Sequence, residues 1–300
     1  YYSELSDYKV IQQNTRKSDV NSLLDDLRMK ARYYLKFTSP TIGENLEECS
    51  EVEYKVFSFF KKKRYRQMRP VLLSLMHKMY QEEITKSEYE KIILYLNDFY
   101  ICYNIIGDEN SNKLSNCINK FALKMENDFS KHDLEDFIIE LISKMPSYDI
   151  FLNSFSTVGW SHHRSFYEGE KNKSRVQTVL EVLERYENND YCKENFTIEH
   201  ILDDSLAVEN ALIGNLIPLE KELNRKCIAK SFREKCLIYQ DSNYKTARNF
   251  SKIYKSKDEF NPKKRTEYMA KEFYYKILGM NRVVQNIDSI NEKQKEGVSV

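Results

Sequence analysis

Glycine and proline are scarce in this chain, with 7 and 5 among 300 residues. Because these two residues interrupt regular backbone, their rarity predicts long helices and a mainly α fold. No run approaches the roughly 20 apolar residues that a membrane-spanning helix needs. The first residues lack the basic-then-apolar pattern of a secretory signal. The expectation is a soluble, cytoplasmic protein with no membrane partner. The six cysteines, at positions 49, 102, 117, 192, 227 and 236, include no Cys-x-x-Cys pair. That spacing argues against a zinc knuckle and against a secreted disulfide framework, so the thiols are read as reduced and structural. The chain begins at Tyr1 rather than Met, and is read as a piece of a longer polypeptide whose upstream part is missing.

What is present is ordinary for a globular protein: 41% hydrophobic residues, 31% charged residues and a mean hydropathy of -0.66. The length allows two compact units. The net charge of +1 conceals an asymmetry, since residues 1–194 hold 28 basic against 31 acidic side chains and residues 195–300 hold 19 against 15. Between Lys221 and Lys276 the balance is 16 to 7. Such a stretch can neutralise several phosphates, and it can equally be a solvated helical face.

Apolar residues at Leu23, Leu24, Leu27, Ala31, Tyr34 and Leu35 follow the 3.6-residue period of an amphipathic helix. The same pattern predicts helices near 50–66, 70–81, 86–106, 111–128, 133–145, 147–157 and 173–187, the last capped by Ser174. Pro70, after the basic cluster KKKRYRQMR, suits a first helical turn. Past Tyr186 the pattern changes to a polar stretch and then to the β-prone Phe196-Thr197-Ile198. A second short apolar run covers Leu216 to Leu219, and helical segments follow at about 221–239 and 263–279. The expected organisation is a helical scaffold over 1–190, a small domain over 191–280 and a flexible tail over 281–300.

One constellation carries chemistry. Hydrolysing a phosphodiester requires a base for water, a cation against the phosphoryl charge, and ligands for that cation. His200 ends the first β-prone run with Glu199 beside it, although strand alternation turns such neighbours to opposite sides unless the strand frays there. Asn215 follows Gly214, where a short amide can tie a loop to a strand. Asn224 lies nine residues further on, in the first turns of a helix, and offers an oxygen suited to a hard cation such as Mg²⁺. Arg225, Lys226 and Lys230 are placed to meet phosphates. His77, His132, His162 and His163 are read as ordinary surface or core residues.

The run TIEHILDD, followed by IGNLIPLEKELNRKCIAKSFREK and the closing PKKRTEYMAKEFYYKI, resembles the C-terminal HNH nuclease domain of GmrSD-like restriction proteins. The usual form there is EHI-x-Pro-Gln, then GNL, LN and SF-x-x-K. The resemblance covers 173–279 by motif and 1–172 by helical character alone. It implies a helical region followed by a small ββα-metal domain with flanking helices, acting as a metal-dependent DNA endonuclease. Carried over, His200 is the general base, Glu199 and Asn224 bind one Mg²⁺ or Mn²⁺, and Asn215 braces the loop. The resemblance also implies bacterial defence against phage, with modified DNA as a frequent target and an N-terminal ParB-like nucleotidase domain in the missing part. Where the family has Pro-Gln, this chain has Asp203-Asp204, which would add a carboxylate to the metal shell or reshape access. Two readings of other classes stay open: a nuclease-like module that binds nucleic acid or protein without cutting, and a helical half that serves as a docking platform.

Overall fold

The computed structural model describes residues 20–188 and 196–280. The shortage of helix breakers becomes a succession of helices: α1 (Val20–Thr38), α2 (Glu51–Lys62), α3 (Arg69–Tyr80), α4 (Lys86–Tyr100), α5 (Ser115–Asn127), α6 (Lys131–Ser143), α7 (Tyr148–Phe155) and α8 (Glu170–Asn188). Side chains set several of their starts. At α2 the Ser50 hydroxyl accepts from the Glu53 N–H while the Glu53 carboxylate accepts from the Ser50 N–H, which satisfies two otherwise orphaned donors. Pro70 occupies the first turn of α3 as its fixed φ predicts. Ser174 is not a cap: α8 begins four residues earlier, and the Ser174 carbonyl accepts from the Thr178 hydroxyl inside the helix. The apolar stripe of that helix is as expected, with Val176, Val179, Leu180 and Leu183 buried.

Packing divides the described residues into two units, one of 20–97 with 110–144 and the other of 98–109 with 145–188 and 196–280. In the first, α1, α2, α3 and α5 surround Tyr33, Phe57, Leu72, Leu75 and Met76. Lys36 is buried there too, held at 2.9 Å by Glu53, which also accepts from the Tyr89 hydroxyl. This division differs from the expected boundary near 190. The reason is that α8 packs against the strands and helices that follow it, so the second unit already takes in the described residues from Met145. The polar stretch beyond Asn188, Cys192, the 281–300 tail and the first residues of the chain lie outside the described residues.

The second unit holds one antiparallel pair, β1 (Thr197–His200) and β2 (Leu216–Leu219), in the register Thr197↔Leu219 through His200↔Leu216. It continues with α9 (Lys221–Lys226), α10 (Phe232–Tyr239), α11 (Lys245–Ile253) and α12 (Pro262–Lys271). The chain is therefore mainly helical with a small two-stranded sheet, and α9 packs on β1 to complete a ββα arrangement. The helix expected over 221–239 is two helices. Ala229 adopts a left-handed conformation, φ 58, and Ser231 caps a new helix by accepting from the Glu234 N–H. The sequence reading placed no helix at α11, which buries Thr246, Ala247, Phe250 and Ser251. No helix among the described residues is long and apolar enough to cross a membrane.

Gly214 is where α12 meets the loop between the strands. A β-carbon there would lie 2.0 Å from the Pro262 carbonyl oxygen and 2.5 Å from the Thr266 hydroxyl, and backbone cannot swing aside. Gly214→Ala is expected to destabilise the protein by about 2–3 kcal/mol, read by chemical denaturation. An alanine variant as stable as the parent would show that this contact is not close.

Candidate active site

The geometry starts from the loop that separates β1 from β2. Asn215 is fully buried in it, and its amide makes three hydrogen bonds. Its Oδ1 accepts from the Leu202 N–H at 2.9 Å, and its Nδ2 donates to the carbonyls of Leu202 and Asn210 at 2.8 and 2.7 Å. From the other side, the Arg265 guanidinium donates to the carbonyls of Gly214 and Leu216. A third chain segment runs alongside: Trp160 N–H donates to Ala211 O, and Ile213 N–H to Val158 O, each at 2.9 Å. Gly159 lets these backbones approach, since a β-carbon would meet Ala211 O at 2.3 Å. The indole of Trp160 is thereby set against His200, ring centroids 5.4 Å apart.

His200 is oriented by its backbone neighbour. Its Nε2 lies 2.9 Å from the Trp160 carbonyl, which can only accept, so Nε2 carries the hydrogen and Nδ1 keeps the lone pair. Burial lowers the imidazole pKa below its ordinary value of 6.5; the Trp160 carbonyl, Asp204 and Glu199 oppose the shift without reversing it. At neutral pH the ring is accordingly an uncharged base.

Glu199 points to other partners, as alternation along β1 requires. Its Oε1 is 2.8 Å from Lys235 Nζ and accepts from the Tyr239 hydroxyl at 3.0 Å. Lys235 also donates to the His200 carbonyl at 2.6 Å. Asn224 is oriented as firmly. Its Nδ2 donates to Thr197 Oγ1 at 2.8 Å and to the Ile198 carbonyl at 3.1 Å, so Oδ1 faces away from the strand. Among the described residues no donor occupies Asn224 Oδ1 or Glu199 Oε2.

Glu199, His200, Asn224, Lys230 and Lys235 line one cleft of about 560 Å³, together with Trp160 and Lys257. Arg225 and Lys226 lie on exposed positions outside that lining. Lys230 is half-exposed and paired with Glu234 at 3.1 Å. Asn215 is braced beneath the cleft rather than in it. Of the two acidic residues that replace the family's Pro-Gln, Asp203 closes a turn by accepting from the Ser205 N–H and hydroxyl. Asp204 is buried and accepts from the Ser161 hydroxyl and the His162 N–H, 3.8 Å from His200 Nε2. Burial alone would raise its pKa, but Ser161, His200 and His162 together bring it below the usual carboxylate value. Cys227, also in the lining, is no nucleophile: burial, with Glu199 nearby, pushes its thiol up to about 12.

Among the described residues no group of three or more His, Cys, Asp or Glu could hold a metal ion. Oxygens in the cleft lining that suit a hard cation include the Glu199 carboxylate and the Asn224 amide, beside the carboxylates of Asp203 and Asp204. Two protein ligands suit Mg²⁺, which fills its remaining positions with water and phosphate oxygens. Sequence reasoning missed three contributors. Trp160 acts through its carbonyl, which no pattern reports; Tyr239 lies a helix away; Lys235 is the lysine of the SF-x-x-K motif, whose partners the motif does not name.

Residues 149–272 match the family model described as GmrSD restriction endonucleases, C-terminal domain. Over these residues the chain is similar to that domain. A comparison with curated proteins returns no match. The GmrSD-like segment begins at α7, so it takes in Trp160 and α8 as well as the strands.

Two outcomes follow from the charges. His200 is expected to titrate below 6.5 by NMR, and a value above that would remove the burial argument. Lys235→Met leaves the buried Glu199 carboxylate without its cation and is expected to cost about 3 kcal/mol of stability, measured by denaturant unfolding in EDTA.

Proposed function

We propose that the GmrSD-like domain is an HNH-type, metal-dependent endonuclease that cuts DNA as the effector of a bacterial restriction or anti-phage system. One observation supports this above the others. A neutral imidazole with its Nδ1 lone pair free, a carboxylate and an outward amide oxygen all line a single cleft with lysines around it.

In this reading His200 Nδ1 takes a proton from water, and the water oxygen attacks phosphorus as the bond to the leaving oxygen breaks. The Trp160 carbonyl holds the ring in the basic tautomer throughout. Glu199 and Asn224 would hold Mg²⁺ or Mn²⁺, which when bound offsets the charge growing on the phosphoryl oxygens. Thr197 and the Ile198 carbonyl keep the Asn224 amide from flipping. Asn215 is a positioning residue, acting through the loop that joins the two strands. Lys230 supplies positive charge for the phosphodiester backbone at the cleft, and Arg225 and Lys226 supply it beside the cleft. An upstream ParB-like nucleotidase domain of the same polypeptide would complete the system, in the cytoplasm.

Plasmid cleavage with Mg²⁺ or Mn²⁺, and with EDTA as control, tests the reading on modified and unmodified DNA. His200→Ala is expected to lose at least about 100-fold in rate while remaining folded. In the parent, the rate should rise with pH through the His200 titration and level off by neutrality, because only the uncharged ring accepts a proton. Glu199→Gln and Asn224→Ala should each raise the Mg²⁺ concentration needed for half-maximal cutting. Equal cleavage by His200→Ala and the parent would sink the assignment; no cleavage by the full-length protein under any divalent metal would favour a binding module instead.

A further inference from the structure

A second cleft, of about 510 Å³, opens between α8, α11 and α12, and it shares no lining residue with the cleft around His200. Its volume is within the range of small-molecule sites. At its base lies Arg265, 8% exposed. Nη1 of this side chain is occupied by the carbonyls of Gly214 and Leu216, and the guanidinium stands 5.3 Å over the Phe250 ring. Nε and Nη2 make no hydrogen bond among the described residues, and no described carboxylate forms an ion pair with it. Burial lowers its pKa to about 10, so it is still charged at neutral pH. Glu187 in the same lining acts on it electrostatically without forming an ion pair, and an anion on the two unoccupied nitrogens would supply the direct partner that this buried guanidinium lacks.

The rest of the lining suits a planar ring. Tyr254 and Tyr268 contribute aromatic side chains, Tyr268 being 60% exposed, while the Phe250 ring beneath them carries the Arg265 guanidinium. A polar pair stands beside them: Asn249 Nδ2 donates to Glu187 Oε2 at 2.6 Å. Such a pair can read the hydrogen-bonding edge of a base. With Arg265, Lys245 and Lys252 give the lining three cations against the carboxylates of Glu187 and Glu272, although the Lys245 ammonium also donates to the Glu187 carbonyl.

We propose that this cleft binds a nucleotide, with its phosphate on the free N–H groups of Arg265 and its base against the tyrosines, next to Asn249 and Glu187. Free nucleotide and a nucleotide within a strand share this chemistry. The site is independent of the catalytic reading.

Calorimetric titration of the full chain with the nucleoside 5′-monophosphates, inorganic phosphate and a short single-stranded oligonucleotide provides the test. Saturable binding of at least one monophosphate is expected, tighter than phosphate. Tyr268→Ala, at an exposed position, should weaken it at least about 10-fold. Arg265→Lys should weaken it as well, but Arg265 also braces the loop at Gly214, so Tyr268→Ala is the deciding variant. His200→Ala should bind as the parent does, which separates this proposal from the catalytic one. Displacement of the monophosphate by the oligonucleotide would assign the site to a strand, and failure to displace would assign it to free nucleotide. The proposal is overturned if the parent shows no saturable binding, if phosphate alone binds as tightly, if Tyr268→Ala changes nothing, or if His200→Ala abolishes binding.

Discussion

The three hydrogen bonds of the Asn215 amide are the constraint on which the site depends. The loop from Ile201 to Asn215 contains little regular structure, and a buried loop carries backbone groups that must find partners. Asn215 satisfies both backbone groups of Leu202 and the carbonyl of Asn210 with one side chain. That fixes where the loop leaves β1, and therefore where His200 ends the strand. Arg265 does the same for the other flank by holding the carbonyls of Gly214 and Leu216. A two-stranded sheet is marginal alone. Here its register is held by an amide on one side and a guanidinium on the other, both immobile because both are buried.

Much of this was legible in the residues. The β-prone run into Glu199-His200, the Gly214-Asn215 pair and Asn224 nine residues later are local patterns, and each records a local requirement. Gly214 is there because α12 leaves no room for a β-carbon, and Asn215 because a short amide matches three backbone groups at once. Helices were legible wherever one face is apolar, as in α8. Their ends were not where a residue other than glycine takes a positive φ, as at Ala229. Composition changes near 190, whereas contacts divide the described residues near Met145. Composition reports solvation, and units are defined by contact.

The contributions of Trp160, Lys235 and Tyr239 were illegible for another reason. Each acts on a site residue at least 35 positions away in sequence, and Trp160 does so with a backbone carbonyl that any residue would supply. What the side chain of Trp160 adds is its ring against the imidazole and the exclusion of water that lowers the His200 pKa. Without Gly159, whose bare backbone passes close to Ala211, that carbonyl could not reach His200.

Strand alternation was the difficulty in placing Glu199 and His200 in one site, and the structure resolves it by giving each neighbour its own support. His200 leans on the Trp160 segment on one side of β1; Glu199 leans on α10 through Lys235 and Tyr239. Lys235 joins the two sides, because the same ammonium that pairs with the Glu199 carboxylate donates to the His200 carbonyl. The burial of a carboxylate requires such a cation, and the same positive charge lowers the proton affinity of His200, which helps to keep the imidazole neutral. One ammonium therefore serves both residues, ion-paired with the Glu199 carboxylate and hydrogen-bonded to the His200 backbone, while the Nε2 of the ring is held by the Trp160 carbonyl.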